Sequence, residues 1–419
     1  MGCCEYQRIV AMENHFYLGI DLDDWNAVVS YYELNMREPE TFSATAGSEV
    51  FQIPVAIAKK RGIDQWLVGE EARRLAETQG ERAHGQLLGR ALRAEMVFVD
   101  GETYPARRLL ALYLKKLILL AGSLRVPKKP DTLVICLEKL SRDTAELFSE
   151  IAPELGVAGA QLMFLDRRES FYYFVCHQKQ ELRLHDVCLF DYRRGDMSCL
   201  TLSQNPRTTP HLVTITEDIR KLGHTERDAE FNRILEESFR GRIVSCAYLV
   251  GDGFDGGWMK CSVAFLCKGR RAFIGKNLYA KGACYAAAVR DSALEWPYIY
   301  LGDSEMKVNV SLKLRSKEAL EFFTLISAGD NWYEAVGECE VILDGSKEIA
   351  FWLQLPNSKE AKVETLELSD LPDRPPRATR LRITAKPLSD TRVCVCIKDM
   401  GFGEFYQSSG KIWEYVMSA

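Results

Sequence analysis

The sequence has no hydrophobic run long enough to cross a membrane and no apolar leader at its start. A bilayer span needs about 20 consecutive apolar residues, and the longest candidate, residues 109–120, is interrupted by Lys115 and Lys116. We therefore predict a cytoplasmic protein without membrane contact. The opening Met-Gly-Cys-Cys carries Tyr6 where N-myristoylation requires Ser or Thr. We expect Met12 to be the natural start, because the first strand pattern begins just after it.

The chain also lacks a strong charge imbalance and a disulfide framework. Its formal net charge is −5, which gives no reason to expect nucleic acid or an anionic membrane as partner. The 13 cysteines are odd in number and lie mostly in apolar runs, as expected for reduced thiols. Cys394 and Cys396 share one face of a predicted strand, but no further metal ligands stand near them. Hydrophobic residues make up 47% of the 419, which is typical of two or three globular domains.

The first regular pattern is a hairpin with a carboxylate at its turn. An apolar run, residues 16–20, ends at Asp21, and a polar turn and a second apolar run, 27–31, follow. Alternation around turn residues predicts a β-hairpin. Many phosphate sites place turn amides against the phosphate and a carboxylate against its metal ion. From this stretch alone, an ordinary hairpin is the alternative.

A second hairpin repeats this design far along the chain. Residues 186–191 and 196–202 form two apolar runs, and Asp191 ends the first of them. Each hairpin is followed by strand and helix patterns, which predicts a duplicated α/β architecture. From Met306 the pattern changes to short alternating segments, which predict an antiparallel β-domain of about 115 residues.

The order of these segments resembles the 70-kilodalton heat-shock chaperones (the DnaK family) of the actin-like ATPase superfamily, from Phe16 nearly to the end. The matching segments are Gly19-Ile20-Asp21-Leu22 and Leu189-Phe190-Asp191 for the two phosphate loops, Val68-Gly69-Glu70-Glu71-Ala72 for V-G-E-x-A, residues 97–121 for the crossing region, residues 133–156 for the V-P-A-x-F strand and helix, Leu249-Val250-Gly251-Asp252-Gly253 for the adenosine loop, Lys281-Gly282-Ala283 for the last helix, and residues 366–377 and 397–403 in the β-domain.

The resemblance implies a two-lobed actin-like ATPase fold, built from duplicated ribonuclease-H-like units and followed by an antiparallel β-sandwich. The implied domains are an N-terminal extension (1–13), a nucleotide-binding domain (14–298), a linker (299–305) and a substrate-binding-like β-domain (306–419). The implied cofactor is ATP or ADP with Mg²⁺, held by Asp21 and Asp191. The implied nucleotide-binding residues are Asp21, Leu22, Asp23, Asp191, Arg193, Gly195, Gly251, Asp252, Gly253, Lys281 and Gly282.

Several departures from the family pattern predict weak nucleotide binding and lost hydrolysis. The first loop reads Asp23-Asp24-Trp25 where the family has Gly-Thr-Thr, so the small residues that let amides approach a phosphate are gone. The second loop carries Arg193 and Arg194, whose charge is the alternative means of contacting phosphate. The catalytic Glu of N-E-P falls at Asp166-Arg167-Arg168, the catalytic Lys has no clear counterpart, and no lid helices follow the β-domain.

The function that the resemblance implies is chaperone-related: the β-domain binds extended peptide or a partner protein, with weak or no ATP hydrolysis. Residues 311–314 and 322–328 stand where the family binds peptide. Trp332, Phe351 and Trp352 either line such a groove or pack in the core. The alternative is a catalytically inactive actin-like scaffold or regulatory module. A small-molecule kinase of the same superfold fits less well, because it does not account for the C-terminal match.

Overall fold

The computed structural model describes residues 15–43, 48–60, 62–63, 65–79, 82–122, 129–223, 225–291, 294–316, 319–356 and 358–418. They form a mixed α/β structure with several sheets. The chain divides into two compact units. The first runs to Gln204 and resumes over Ile215–Trp296; the second comprises Asn205–Thr214 and Pro297 onward. None of the helices in these ranges is both long and apolar enough to cross a membrane. The expected start at Met12 lies outside the described residues.

The first unit contains both strands and helices. In chain order they are β1 (Phe16–Leu22), β2 (Asn26–Glu33), β3 (Glu40–Thr41), β4 (Ile53–Pro54), β5 (Ala56–Lys60), β6 (Gln65–Val68), α1 (Gly69–Gln79), β7 (His84–Gly85), α2 (Leu87–Leu92), β8 (Met96–Val99), β9 (Glu102–Pro105), α3 (Ala106–Gly122), β10 (Thr132–Leu137), α4 (Arg142–Leu155), β11 (Leu162–Asp166), α5 (Arg167–His177), β12 (Asp186–Arg193), β13 (Asp196–Asn205), β14 (His211–Lys221), α6 (Arg227–Phe239), β15 (Val244–Val250), α7 (Cys261–Leu266), β16 (Arg271–Ile274) and α8 (Leu278–Arg290). The ends of β13 and β14 extend into the second unit.

Both predicted hairpins are present, and each lies in a sheet of the same strand order. β1 pairs antiparallel with β2 and parallel with β10, which is parallel to β11. β12 likewise pairs antiparallel with β13 and parallel with β15, which is parallel to β16. The orders are therefore β11-β10-β1-β2-β3 and β16-β15-β12-β13-β14. Parallel strands have their carboxyl ends at the same edge of a sheet. The β1–β2 turn therefore lies at the edge where β10 and β11 end, and the β12–β13 turn at the edge where β15 and β16 end.

Some elements differ from the predicted ones, each for a local reason. The residue pattern predicts a helix over residues 170–179. In the structure this helix is α5, which begins at Arg167 because the Asp166 carboxylate accepts a hydrogen bond from the Glu169 amide at 2.7 Å. The pattern also predicts a single strand over residues 53–58. The structure divides it into β4 and β5, and the Val55 amide between them donates to the Trp25 carbonyl at 2.8 Å. β14 was not predicted at all.

The second unit is dominated by two four-stranded antiparallel sheets. Its strands are β17 (Tyr298–Tyr300), β18 (Asn309–Ser316), β19 (Ala319–Ile326), β20 (Gly337–Ile342), β21 (Glu348–Gln354), β22 (Ala361–Glu367), β23 (Arg380–Pro387), β24 (Arg392–Gly401) and β25 (Ile412–Ser418). The sheet orders are β19-β18-β21-β22 and β20-β23-β24-β25. Alternate side chains of both sheets, among them Phe351 and Ile383, share one hydrophobic core. The antiparallel strands predicted from residue alternation are present in this unit, with β19 and β25 as additional strands.

Candidate functional site: an arginine–aspartate cluster

Two acidic turns and two arginines meet at one place in the first unit. Asp21 is the sixth residue of β1, and Asp23 begins the turn to β2. Arg167 follows β11 directly and opens α5. Asp191 and Arg193 lie near the end of β12. We refer to these five residues as the arginine–aspartate cluster.

Arg167 is bound to the first acidic turn. Its Nε donates to Asp21 Oδ1 at 2.8 Å, and its Nη2 donates to Asp21 Oδ2 at 3.3 Å and to Asp23 Oδ2 at 3.2 Å. All three residues are buried. The other oxygen of Asp23, Oδ1, accepts hydrogen bonds from the Trp25 and Asn26 amides, both at 2.8 Å. Asp23 therefore closes the turn through Oδ1 while its Oδ2 faces Arg167.

Arg193 links the first turn to the second. Its Nε donates to Asp191 Oδ1 at 2.7 Å, and its Nη1 donates to Asp23 Oδ2 at 3.3 Å. The remaining oxygen of Asp191 accepts a hydrogen bond from the Tyr279 hydroxyl at 3.0 Å. The Tyr279 ring, on α8, faces the guanidinium groups of Arg167 and Arg193 at 5.3 and 6.0 Å, within the range of cation–π attraction.

The electrostatics of the cluster keep Asp23 and Arg167 charged at neutral pH. Burial works to raise the pKa of Asp23, but Arg167, two amide hydrogen bonds and Arg193 together lower it. Burial works to lower the pKa of Arg167, but Asp21 and Asp191 raise it well above its usual range. Burial, followed by Asp191, raises the pKa of Tyr279, so its hydroxyl remains a hydrogen-bond donor. Three carboxylates thus face two guanidinium groups and one phenol.

This donor set does not fit a magnesium nucleotide in the arrangement observed. Mg²⁺ takes oxygen ligands in a regular octahedron, whereas both oxygens of Asp21 and of Asp191 already accept hydrogen bonds within the cluster. Over the described ranges, no three His, Cys, Asp or Glu side chains are grouped so as to hold a metal ion. The two cavities lined by residues of the cluster measure about 120 Å³, beside Asp21 and Gly251, and about 250 Å³, beside Arg167 and Tyr279. Both are below the roughly 300 Å³ at which small-molecule pockets begin.

Three of the four glycines predicted to bind nucleotide are close-packed against the protein itself. A Cβ at Gly251, whose φ is +98°, would lie 2.3 Å from the Tyr192 carbonyl oxygen, and one at Gly253 would lie 2.2 Å from the Tyr192 ring. A Cβ at Gly282 would lie 2.1 Å from the Ser170 carbonyl oxygen, where α8 meets α5. Gly195, with φ +90°, has open space around it and serves the β12–β13 turn.

The remaining predicted residues are scattered around the cluster. Leu22 is fully buried in the core. Asp252 begins a short 3-10 helix and lines the 120 Å³ cavity. Lys281 forms an ion pair with Glu38 at 3.1 Å. The structure therefore brings together Asp21, Asp23, Asp191 and Arg193, with Gly251 next to them, and gives Lys281 a different partner.

Arg167 and Tyr279 belong to the site although they were not among the predicted binding residues. The sequence did point to the position of Arg167, because this residue stands where the resembled family has the Glu of N-E-P. Tyr279 carried no signal, because an aromatic residue in an apolar helix is usually core. Asp24 also has a role: its Oδ1 accepts a hydrogen bond from the Gly89 amide of α2 at 2.8 Å.

The fold and this site define a mixed α/β protein whose two acidic hairpin turns are joined by arginines. A family model described as "Family of unknown function (DUF5716) C-terminal" matches residues 38–303, or 266 of the 419 residues (303 − 38 + 1). The chain belongs to this family. A second model, "Domain of unknown function (DUF8552)", matches residues 305–419. No curated protein matches the sequence.

Proposed function

We propose that the first unit has an actin-like ATPase fold of two ribonuclease-H-like repeats, and that the second is a β-sandwich related to the substrate-binding domain of the DnaK family. The same order of five consecutive strands in each of the two α/β sheets supports the first assignment. The core shared by two four-stranded sheets supports the second. Only residues 240–243 separate α6 from β15, so the repeat has no room there for an inserted nucleotide-clasping subdomain.

We infer that this actin-like unit no longer hydrolyses ATP and serves as a fixed binding or regulatory module. The observation that carries this inference is the position of Arg167 between Asp21 and Asp23. In a phosphoryl-transfer site these acids face a metal ion, and catalysis depends on positioning and electrostatic stabilisation of the transferred group. Here a buried guanidinium, covalently part of the chain, neutralises them instead. Binding of magnesium and a polyphosphate would require Arg167 and Arg193 to leave their partners.

Isothermal titration with ATP and Mg²⁺, together with a phosphate-release assay, tests this inference. We expect no binding tighter than about 100 μM and no release of phosphate above that of an Asp191→Ala variant. ADP and inorganic phosphate serve as matched ligands. Turnover in the wild-type protein that Asp191→Ala abolishes would show that the cluster opens into an active site, and the inference would fall.

A second function, binding of extended polypeptide by the second unit, is favoured by the exposed surface of β19. This strand is the outer member of its sheet among the described residues. Leu320, Phe322 and Phe323 on it are 58%, 59% and 42% exposed, and the Phe322 ring packs edge-on against Trp352 at 5.6 Å. An open edge with apolar side chains suits strand addition, in which main-chain bonds give affinity and side-chain contacts give selectivity.

Fluorescence anisotropy of the full chain with a labelled, uncharged hydrophobic peptide tests this second function. We expect a Kd in the micromolar range or weaker and fast release. Phe322→Ser should weaken binding severalfold, whereas Ile412→Ser, at a 54% exposed residue of the other sheet, should not. Absence of binding to the wild-type chain would leave the scaffold or regulatory alternative.

A further inference from the structure

A groove in the first unit combines an open strand edge with basic side chains, away from the arginine–aspartate cluster. It has a volume of about 510 Å³ and is lined on one side by residues 96–100, which are β8 and the following Asp100. Its other lining residues are Lys59, Arg82, His84 and Arg90. We refer to it as the β8 groove.

The backbone of β8 presents unpaired groups to this groove. β8 and β9 are joined by Asp100 and Gly101, whose φ values of +47° and +84° correspond to a two-residue type I′ turn. In such a hairpin the residues flanking the turn form a hydrogen-bonded pair, and the pairs alternate from there. The main-chain groups of Val97 and Val99 therefore point to β9, while those of Met96 and Phe98 point away from it. Among the described residues, β8 pairs with no strand besides β9.

β8 also exposes large apolar side chains, which is unusual at a protein surface. Met96 is 56% exposed and Phe98 is 67% exposed. Val97 and Val99 are buried, so the strand is anchored through one face and offers apolar groups on the other. An exposed, flat apolar edge is normally avoided in soluble proteins unless another chain covers it.

The charge of the lining indicates what kind of chain would cover it. Lys59, Arg82 and Arg90 face a single lining carboxylate, that of Asp100. Glu102 and Glu95 pair with Lys59 and Arg90 from outside the lining, at 3.6 and 2.9 Å, and Arg82 is exposed. Burial, then Arg82 and Arg90, lowers the pKa of the buried His84.

We propose that the β8 groove binds an acidic, extended segment of a partner protein as an added strand on β8. Main-chain groups of the segment pair with Phe98 and Met96. Its apolar side chains cover those two residues, and its carboxylates face Arg82, Arg90 and Lys59. The peptide site proposed for the second unit is a separate one, on the exposed residues of β19.

Anisotropy with a labelled octapeptide of alternating glutamate and valine tests the proposal on the full chain. We expect a Kd in the range of about 10–100 μM, which weakens as salt is raised. The matching lysine–valine octapeptide should bind at least about tenfold more weakly. A glutamate–valine peptide N-methylated at alternate residues should lose binding, because it keeps its charge but not its donors for strand pairing.

Two pairs of variants locate the site. Phe98→Pro removes an outward main-chain donor without touching the bonds to β9 and should abolish binding. Thr103→Pro makes the same change on the outer edge of β9 and should leave binding intact. Arg82→Glu should weaken binding about fivefold or more, whereas Arg108→Glu, an equal charge change at an exposed residue of α3, should not. Circular dichroism establishes that each variant is folded.

Four outcomes would overturn the proposal: no binding of the glutamate–valine peptide up to about 1 mM, equal binding of the two charge types, full binding of the N-methylated peptide, or binding that survives Phe98→Pro. Self-association of the chain that Phe98→Pro abolishes would also overturn it, since a second copy would then be the occupant. Competition by the uncharged hydrophobic peptide that Phe322→Ser removes would place the probe in the second unit instead.

Discussion

Arg167 and Asp21 form a two-point salt bridge although 146 residues separate them in sequence, with Nε and Nη2 of the arginine 2.8 and 3.3 Å from the two carboxylate oxygens. Both side chains are buried, at 7% and 6% exposure. Removing two charges from water is costly, and only a well-formed pair offsets that cost. The pair therefore makes the first acidic turn dependent on an arginine from α5, whether or not any ligand is present.

Arg167→Met should destabilise the first unit by about 3–5 kcal/mol, because Asp21 and Asp23 are then buried without their main counter-charge. Hydrogen exchange in β1 and β10 during a urea titration measures the loss. The folded state lowers the pKa of Asp23, so its contribution to stability is present above the ordinary Asp pKa and is lost as pH falls through the folded value. The difference between wild type and variant should accordingly shrink in acid.

The control for this experiment is an exposed pair on another helix. Arg142 and Glu146 are four residues apart on α4 at 3.1 Å, with exposures of 73% and 64%. Such pairs contribute about 0.5 kcal/mol or less, so the stability of Arg142→Met in the urea titration should equal that of the wild type. If the stability of Arg167→Met also equals that of the wild type, the salt bridge of Arg167 does not stabilise the fold.

The parts of this fold that could be predicted from sequence are those fixed by local patterns. Both hairpins follow from apolar runs around polar turns, and the buried strand β10 follows from an unbroken apolar run. Asp21, Asp191 and Arg193 could be selected because they lie at strand ends. Their mutual pairing could not, because it depends on which strand becomes the neighbour of β1, and the crossovers decide that.

Tertiary context also accounts for the elements that were missed. β19 carries adjacent Phe322 and Phe323, both exposed, so its sequence lacks the alternation that marks a half-buried strand. The short tract 412–418 forms β25 by pairing with β24 along its whole length, a contact that its own residues do not encode. The adenosine-like loop could be located from its glycines, but only the structure shows Tyr192 packed against them.

Gly253→Ala and Gly282→Ala should each cost about 1–3 kcal/mol in the absence of any nucleotide, since overpacking a filled core forces neighbouring atoms apart. The new Cβ would meet the Tyr192 ring in the first case and the Ser170 carbonyl in the second. Gly257→Ala in the same loop is the control, because nothing lies within 4 Å of a Cβ there. Thermal unfolding without ligand distinguishes them; three equal melting temperatures would contradict a packing role.

Asp399→Asn should destabilise the second unit at neutral pH by about 3 kcal/mol. The fully buried carboxylate accepts hydrogen bonds from both Nη atoms of Arg374, at 2.9 and 2.8 Å, and from the Gly401 and Ser409 amides. Burial works to raise its pKa, but Arg374 and these bonds hold it well below the usual range. The stabilisation is thus present above about pH 4 and lost only in strong acid.

Hydrogen exchange of β23 and β24 measures the effect of Asp399→Asn, and the exposed pair of Lys347 with Asp373 supplies the control. Asp373 is 95% exposed, so Asp373→Asn should leave exchange unchanged at every pH. A loss of protection in Asp399→Asn that was the same at pH 7 and at about pH 2 would mean that packing, not charge, is responsible.

Arg167→Glu should convert the arginine–aspartate cluster into a cation site. The substitution replaces the guanidinium that bridges Asp21 and Asp23 with a third carboxylate, and Ca²⁺ and lanthanides favour such groups of acidic oxygens. Because Tyr279 lies 5.3 Å from the guanidinium of Arg167, bound Tb³⁺ should show luminescence sensitised by the ring. We expect saturable luminescence in Arg167→Glu, a rise in melting temperature with added cation, and neither in the wild type. Arg168→Glu is the matched control, since Arg168 is the next residue along the chain and forms ion pairs with Asp166 and Glu217. Equal Tb³⁺ signals from Arg167→Glu and Arg168→Glu would show that the ion binds elsewhere, and a saturable signal in the wild type would show that the arginine does not exclude a cation from the two acids.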